Sequence, residues 1–91
     1  MKIEIYTMEN CVYCQESKKL LEENNYDYVE HMITEENSPS MIKFLQERLN
    51  IENIILPVFF IEDTFKYNII GYFGIVDFIA KKNLFENGAG I

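Results

Sequence analysis

The sequence predicts a single α/β domain with the element order β-α-β-α-β-β-α, in which helices flank a mixed four-stranded sheet. Apolar residues make up 48% of the 91 residues, which is too high a share for a disordered chain and enough for one core. Short strand-like runs alternate along the chain with longer runs of helical periodicity. We find no internal repeat and no linker, so residues 1–91 are expected to fold as one domain.

The first half of the chain predicts a β-α-β unit. Residues 2–7 alternate apolar and polar side chains, which is typical of a strand with one face on a core. Residues 12–24 are predicted to form a helix, because Leu20 and Leu21 fall on one side and charged residues face water. Residues 26–32 are rich in aromatic and β-branched side chains and predict the second strand.

The second half predicts a helix and then a hairpin. Ser38 is predicted to be the N-cap of a helix that extends to about Asn50, because Pro39 then occupies the first helical position, where its missing N–H costs nothing. Residues 58–61 are continuously apolar, which indicates a central strand covered on both faces. A polar turn separates this run from residues 65–70, which predict its hairpin partner.

A short last helix is predicted after the hairpin. Gly71 and Gly74 bracket Tyr72-Phe73, and the apolar spacing after Gly74 indicates that the helix begins near Gly74-Ile75. Residues 82–91 are expected to form a flexible C-terminal tail.

The charge balance excludes several classes of partner. Lys and Arg number 8 against 15 Asp and Glu, a formal net charge of −7, so phosphate groups of nucleic acids and anionic membranes would be repelled. The longest apolar run, residues 54–61, is too short to cross a bilayer and contains Pro57. The N-terminus has no apolar signal segment. We therefore expect a soluble, cytoplasmic protein that works in a reducing compartment.

The two cysteines, Cys11 and Cys14, lie between the first strand and the first helix. This spacing brings both sulfurs within bonding reach and places Cys11 beside the unpaired N–H groups of the first helical turn. Those dipoles favour an anion, so they favour the thiolate form of Cys11. Because the thiolate is the nucleophile in disulfide exchange, the motif predicts redox chemistry.

Other interpretations of the cysteine pair are weaker. Tetrahedral zinc usually takes four protein ligands, and only His31 is available as a further His or Cys ligand, far away in the sequence. A purely structural disulfide is uncommon in a reducing compartment. His31 itself is interpreted as a surface or rim residue rather than a catalytic base, since a preformed thiolate needs none.

Three motifs, in this order along nearly the full chain, carry a resemblance to the glutaredoxins, small members of the thioredoxin fold. The first is Cys11-Val12-Tyr13-Cys14, with Lys18 four residues further on. The second is Ile55-Leu56-Pro57, where the family typically carries Thr-Val-cisPro, and the third is Ile70-Gly71, where it usually has a Gly-Gly pair. The Val-Tyr spacer is most similar to the bacteriophage type of glutaredoxin.

The resemblance implies a thiol–disulfide oxidoreductase in which Cys11 attacks and Cys14 resolves. It implies glutathione as co-substrate, no tightly bound cofactor or metal, and disulfide-containing protein substrates that include ribonucleotide reductase. It also implies a monomer, in which a cis Pro57 leaves the backbone of Leu56 free to pair with an extended substrate. The residues implied to line the glutathione groove are Tyr13, Lys18, Leu56, Pro57, Gly71, Tyr72, Gly74 and Ile75.

The chain also departs from the family pattern, and these departures leave alternatives open. Residues 7–10 contain no basic residue, Tyr72 replaces the second glycine, and residues 74–75 replace the acidic pair that usually holds the glutathione amine. Arg48 and Lys18 are candidates to supply the missing positive charge. A thioredoxin-like reductant recharged by a flavoenzyme is therefore one alternative. An iron–sulfur carrier that uses Cys11 and glutathione is another, against which an exposed resolving Cys14 argues.

Overall fold

The computed structural model of the protein describes residues 1–86, and it confirms the predicted element order. The last part of the expected tail, residues 87–91, lies outside the described residues. The elements are β1 (Lys2–Met8), α1 (Val12–Glu23), β2 (Val29–Ile33), α2 (Ser38–Leu49), β3 (Val58–Glu62), β4 (Lys66–Ile70) and α3 (Tyr72–Glu86).

The four strands form one mixed sheet in the order β2-β1-β3-β4. β1 and β2 are parallel, whereas β3 is antiparallel to both β1 and β4. The register pairs Tyr6 with Val58, and Val58 with Ile70. The carboxyl end of β1, the start of β3 and the end of β4 therefore meet at one end of the sheet. The functional site forms at this end.

Helices cover both faces of the sheet. Alternate residues of β1 and β3 point to opposite faces, so each strand contributes to two cores. The core on the side of α1 and α3 contains Ile3, Ile5, Leu21, Phe59, Ile61, Ile75 and Ile79. The core on the side of α2 contains Tyr6, Ile33, Leu45, Val58 and Phe60. Among residues 1–86, no helix combines the length and apolar character that a membrane span requires.

The second strand is shorter than predicted at its start. β2 begins at Val29 rather than at Tyr26. The amide of Tyr26 donates to the carbonyl of Leu21 over 2.9 Å, which closes the end of α1, and the rings of Tyr26 and Tyr28 pack against the first core. The aromatic residues that predicted a strand therefore lie in the connection between α1 and β2.

The predicted N-cap of α2 is wrong by one residue. Asn37 is the N-cap, and its carbonyl accepts the amide of Met41 over 2.9 Å. The Asn37 side chain is engaged in the preceding turn, where its Oδ1 accepts the Thr34 amide over 2.7 Å. Pro39 is therefore the second helical residue rather than the first, but it still lies in the first turn, where its missing N–H costs nothing.

The last helix begins earlier and ends later than predicted. α3 spans Tyr72–Glu86, directly after Gly71, which has a left-handed backbone with φ of 83°. Gly74 lies inside the helix, because a Cβ there would come within 2.8 Å of Cγ2 of Ile69. Glycine thus permits a close approach of α3 to β4 and does not mark a turn. Residues 82–86, expected to belong to the tail, form the end of this helix.

Candidate active site

The cysteine pair lies where β1 passes into α1. Cys11 is the N-cap residue of α1, with an extended backbone of φ −98° and ψ 104°. Its Sγ is bonded to Sγ of Cys14 in a disulfide, and the two Cα atoms are 5.2 Å apart. The amide of Cys14 donates to Cys11 Sγ over 3.2 Å. In this position the sulfur of Cys11 takes the place of the oxygen that usually caps a helix.

The two sulfurs differ in accessibility. Cys14 is only 1% exposed, whereas Cys11 is partly exposed at the helix start. The expectation of an exposed Cys14 is therefore wrong, because its position one turn into α1 turns its side chain toward the protein interior. An incoming disulfide can reach Cys11, and Cys14 can reach only Cys11. In the reduced protein, the Cys14 amide and the helix dipole favour a thiolate at Cys11.

The loop before β3 lies at the same end of the sheet as this pair, because Val58 at the start of β3 pairs with Tyr6 near the end of β1. The Leu56–Pro57 peptide bond is cis, and the amide of Gly71 donates to the Pro57 carbonyl over 2.7 Å. This bond fixes the start of β3 to the end of β4. The backbone of Leu56 makes no hydrogen bond within residues 1–86, so its N–H and C=O are available to another chain.

Three aromatic rings cluster where the start of α1 faces the start of α3. Tyr13 stacks on Tyr72 with 5.7 Å between ring centroids. Phe73 lies 5.9 Å from Tyr13 and 5.5 Å from Tyr72, again between centroids. Tyr13 and Tyr72, two of the residues expected to line a groove, are thus brought together, and Phe73 is a member of the cluster that the sequence analysis missed. Its position between two glycines, beside Tyr72, was the available signal.

Lys18 forms an ion pair with a residue of β2, the strand at one side of the sheet. Its Nζ donates to Oε2 of Glu30 on β2 over 3.0 Å, and the same oxygen accepts the buried hydroxyl of Thr7 over 2.6 Å. The Thr7 hydrogen bond, followed by Lys18, holds the pKa of Glu30 below its ordinary value, although desolvation acts in the opposite direction. The Lys18 ammonium is therefore an ion-pair partner of Glu30.

Arg48 does not supply a charge to this site either. Its guanidinium lies 4.0 Å from the centroid of the Phe60 ring, on the α2 face of the sheet. Phe60 pairs with Glu4 in the middle of β1, so Arg48 lies away from the end of the sheet that carries Cys11. The expectation that Arg48 replaces a glutathione-binding base is wrong for this conformation.

Ile75 and Gly74 also have structural roles that the sequence analysis did not predict. The side chain of Ile75 is fully buried in the first core, and its amide donates to the Gly71 carbonyl over 3.3 Å. Gly74 packs closely on Ile69. Because α3 begins at Tyr72, the amides without a helical acceptor in its first turn include those of Tyr72 and Phe73.

His31 is held by contacts within the sheet. Its Nε2 lies 3.0 Å from Oε1 of Glu4, and its ring stacks on Tyr6 with 4.6 Å between centroids. These contacts lie toward the α2 face and agree with a residue that takes no part in catalysis. Within residues 1–86, no three His, Cys, Asp or Glu side chains are grouped to hold a metal ion.

A surface groove lies apart from the cysteines. It has a volume of about 740 Å³ and lies between β4 and α3, with Tyr67, Asn68 and Phe78 among its lining residues. Neither Cys11 nor Cys14 lines it. Cys11 is partly exposed outside this groove, so a substrate can approach it from the surface.

Comparison with known proteins agrees with this geometry. The protein-family model described as Glutaredoxin matches residues 3–66. The chain is similar to glutaredoxin 1 from Francisella tularensis, crystallised in complex with cacodylate, at 29% identity over 88% of this chain and 93% of that one, with a TM-score of 0.65. It is also similar to the NrdH-redoxin of Escherichia coli, a glutaredoxin-like protein with a thioredoxin-like activity profile, at 28% identity over 79% and 84% of the two chains, with a TM-score of 0.56.

A third similarity supports the fold alone. The glutaredoxin of Brucella melitensis shares 22% identity over 94% of this chain and 86% of that one, with a TM-score of 0.67. No curated protein sequence gives a significant match.

Proposed function

Because the chain belongs to the glutaredoxin family of thiol–disulfide oxidoreductases, we propose that it is a dithiol, glutathione-linked reductant of protein disulfides and of glutathione mixed disulfides. The observation that carries the proposal is the difference between the two sulfurs. Cys11 lies partly exposed at the helix start, and Cys14 lies buried within bonding distance of it.

The reaction has two exchange steps. The Cys11 thiolate attacks one sulfur of the substrate disulfide, that S–S bond breaks, and the departing sulfur leaves as a thiolate and takes a proton from water. Cys14 then loses its proton and attacks Cys11 Sγ, which releases the second substrate sulfur. The substrate disulfide gains two electrons, and the Cys11–Cys14 dithiol is oxidised to the disulfide seen in the structure.

Glutathione completes the cycle in this proposal. Two glutathione thiols reduce the Cys11–Cys14 disulfide and become glutathione disulfide, so the electrons balance. The free backbone of Leu56, beside the cis Pro57, supports the binding of glutathione or a substrate segment in an extended form. Tyr13, Tyr72 and Gly71 lie at the same end of the sheet and complete the proposed groove.

We extend the proposal to the cellular setting. A dithiol reductant works where disulfides do not persist, so the cytoplasm is the proposed compartment. Ribonucleotide reductase is a proposed acceptor, because reduction of its disulfide is chemistry of this class. The protein is proposed to act as a monomer, and its charge of −7 argues against nucleic acid as a partner.

A second candidate is a thioredoxin-like reductant that a flavoenzyme recharges. The observation that favours it is the engagement of Lys18 with Glu30 and of Arg48 with Phe60, which leaves neither cation directed at the site. The similarity to the NrdH-redoxin, with its thioredoxin-like activity profile, supports the same candidate.

One experiment tests both candidates. Turnover of a protein disulfide is measured with NADPH and either glutathione with glutathione reductase, or thioredoxin reductase. Faster turnover with glutathione supports the main proposal, and faster turnover with thioredoxin reductase supports the second. Failure with both donors, when the chemically reduced protein also leaves the disulfide intact, would refute the function. Visible absorbance after anaerobic reconstitution with iron, sulfide and glutathione would instead indicate an iron–sulfur carrier.

A further inference from the structure

Several large apolar side chains in and near the cysteine motif are exposed. Val12 and Tyr13, the two residues between the cysteines, are 66% and 53% exposed. Ile55, two residues before the cis Pro57, is 63% exposed, and Phe73 at the start of α3 is 72% exposed. A group of exposed apolar side chains marks a site of interaction with another molecule.

The strongest element of this surface is the aromatic platform, which we define as Tyr13, Tyr72 and Phe73. Each ring contacts the other two, with centroid separations of 5.5–5.9 Å. The amide of Gly71 donates a hydrogen bond to the Pro57 carbonyl, and α3 starts at the next residue. The platform therefore adjoins the loop whose free Leu56 backbone is available to an extended chain.

The charges near the platform do not favour an acidic side chain in the substrate segment. The neighbouring loop contributes Glu9, and Lys18 is paired with Glu30. Lys66 and Lys82 are paired with Glu62 and Asp63. Glu62 lies opposite Lys2, the first residue of β1, so these pairs are at the far end of the sheet from Cys11. An apolar side chain gains contact area on the rings, whereas a carboxylate gains no partner from these lysines.

We infer that the aromatic platform binds a large apolar side chain, aromatic or branched aliphatic, that lies next to a disulfide-bonded cysteine in an extended segment of a protein substrate. This inference rests on the proposed function and names its substrate class. The substrate backbone pairs at Leu56, its cysteine sulfur meets Cys11, and the neighbouring side chain covers Phe73. The dithiol is oxidised and the protein disulfide is reduced, as in the exchange steps above.

The test uses two synthetic peptides, each closed into a loop by one disulfide. They are identical except that the residues on both sides of each cysteine are Phe in one peptide and Ser in the other. The full-length protein is reduced, freed of reductant and mixed with each peptide, so no electron donor affects the rate. We expect the Phe peptide to be reduced about tenfold faster, which corresponds to about 1.4 kcal/mol.

Variants of one exposed ring assign the effect. Phe73→Ala is expected to lower the ratio of the two rates from about tenfold to about twofold. Phe73→Leu is expected to give a ratio of about fivefold, because leucine retains an apolar contact. Phe65→Ala is the matched control, because Phe65 is 68% exposed in the turn between β3 and β4, at the opposite end of the sheet. It is expected to keep the wild-type ratio.

The outcomes distinguish a failure of the inferred substrate preference from a failure of the proposed function. Equal rates for the two peptides with the wild-type protein would overturn the inference while the function stands. A tenfold ratio that survives in Phe73→Ala would also overturn it. Reduction of neither peptide would instead refute the proposed function. A loss of preference in Phe65→Ala would show that the effect does not come from the platform.

Discussion

The hydrogen bond between Thr7 and Glu30 offers a quantitative test of how the sheet supports the site. Thr7 is 1% exposed near the end of β1, and its hydroxyl donates to the Glu30 carboxylate over 2.6 Å. The same carboxylate oxygen accepts from Lys18, which lies on α1. The network therefore joins β1, β2 and α1 just below the cysteine pair. Thr7→Val removes the donor and keeps the shape of the side chain.

The expected cost follows from the environment of the carboxylate. A hydrogen bond to a charged group contributes about 1.5–3 kcal/mol. The Glu30 side chain is 28% exposed and keeps Lys18, so water and the ammonium offset part of the loss. We expect Thr7→Val to lower the free energy of unfolding by about 1–2 kcal/mol. For a domain of this size, that is a fall in Tm of about 5–15 °C.

The direction in which the stability loss of Thr7→Val changes with pH follows from the pKa of Glu30. The pKa of Glu30 is lower in the folded protein than its ordinary value, with the Thr7 hydroxyl as the largest cause. The stabilisation is therefore present above the ordinary pKa of a glutamate and is lost as the pH falls through the folded pKa. The difference between Thr7→Val and the wild type should shrink over that window, toward the value of a neutral hydrogen bond.

Urea unfolding of the oxidised protein, at neutral pH and at a pH below the folded pKa of Glu30, measures both quantities. Thr64→Val is the matched control, because Thr64 is exposed in the turn between β3 and β4. We expect that control to change stability by less than about 0.5 kcal/mol. An unchanged stability of Thr7→Val at neutral pH, or a loss that stays constant with pH, would refute the reasoning.

The remaining predictions concern the cysteines and the contact of α3 with β4. Cys11→Ser should abolish disulfide reduction, whereas Cys14→Ser should accumulate mixed disulfides with protein substrates yet keep turnover of glutathionylated ones; identical behaviour in both assays would contradict their assigned roles. Gly74→Ala adds a methyl within 2.8 Å of Ile69 Cγ2 and should lower the free energy of unfolding by about 1 kcal/mol, after overpacking is set against better helix propensity. In an Ile69→Ala background the same substitution should become stabilising, and urea unfolding that gave the same sign in both backgrounds would contradict the packing argument.

Much of the fold follows from local patterns in the sequence. The alternation of residues 2–7 and the continuous apolarity of residues 58–61 predict the two central strands, because burial on the sheet selects these patterns directly. The position of Cys11 at a helix start also follows, since the apolar periodicity of α1 begins directly after it. These features depend on residues near one another in the chain.

The features that were missed depend on distant contacts. Gly74 indicates a break in the sequence, but the approach of Ile69 makes glycine a packing residue inside a helix. Lys18 is a free cation by sequence alone, and only the parallel pairing of β1 with β2 brings Glu30 to it. Phe73 joins the site through its contact with the ring of Tyr13, which belongs to another helix. Tertiary packing, which no short pattern encodes, decides each of these cases.

The central claim is that Cys11 is an accessible thiolate while Cys14 is sheltered behind it. The most direct measurement follows alkylation of the reduced protein by iodoacetamide over a range of pH, with the modified residue identified by mass spectrometry. We predict that Cys11 is modified first, and still reacts at a pH where an unstructured cysteine peptide is nearly inert. A Cys11 that reacts only as the pH approaches the range of that peptide, or a Cys14 that is modified equally fast, would contradict the account.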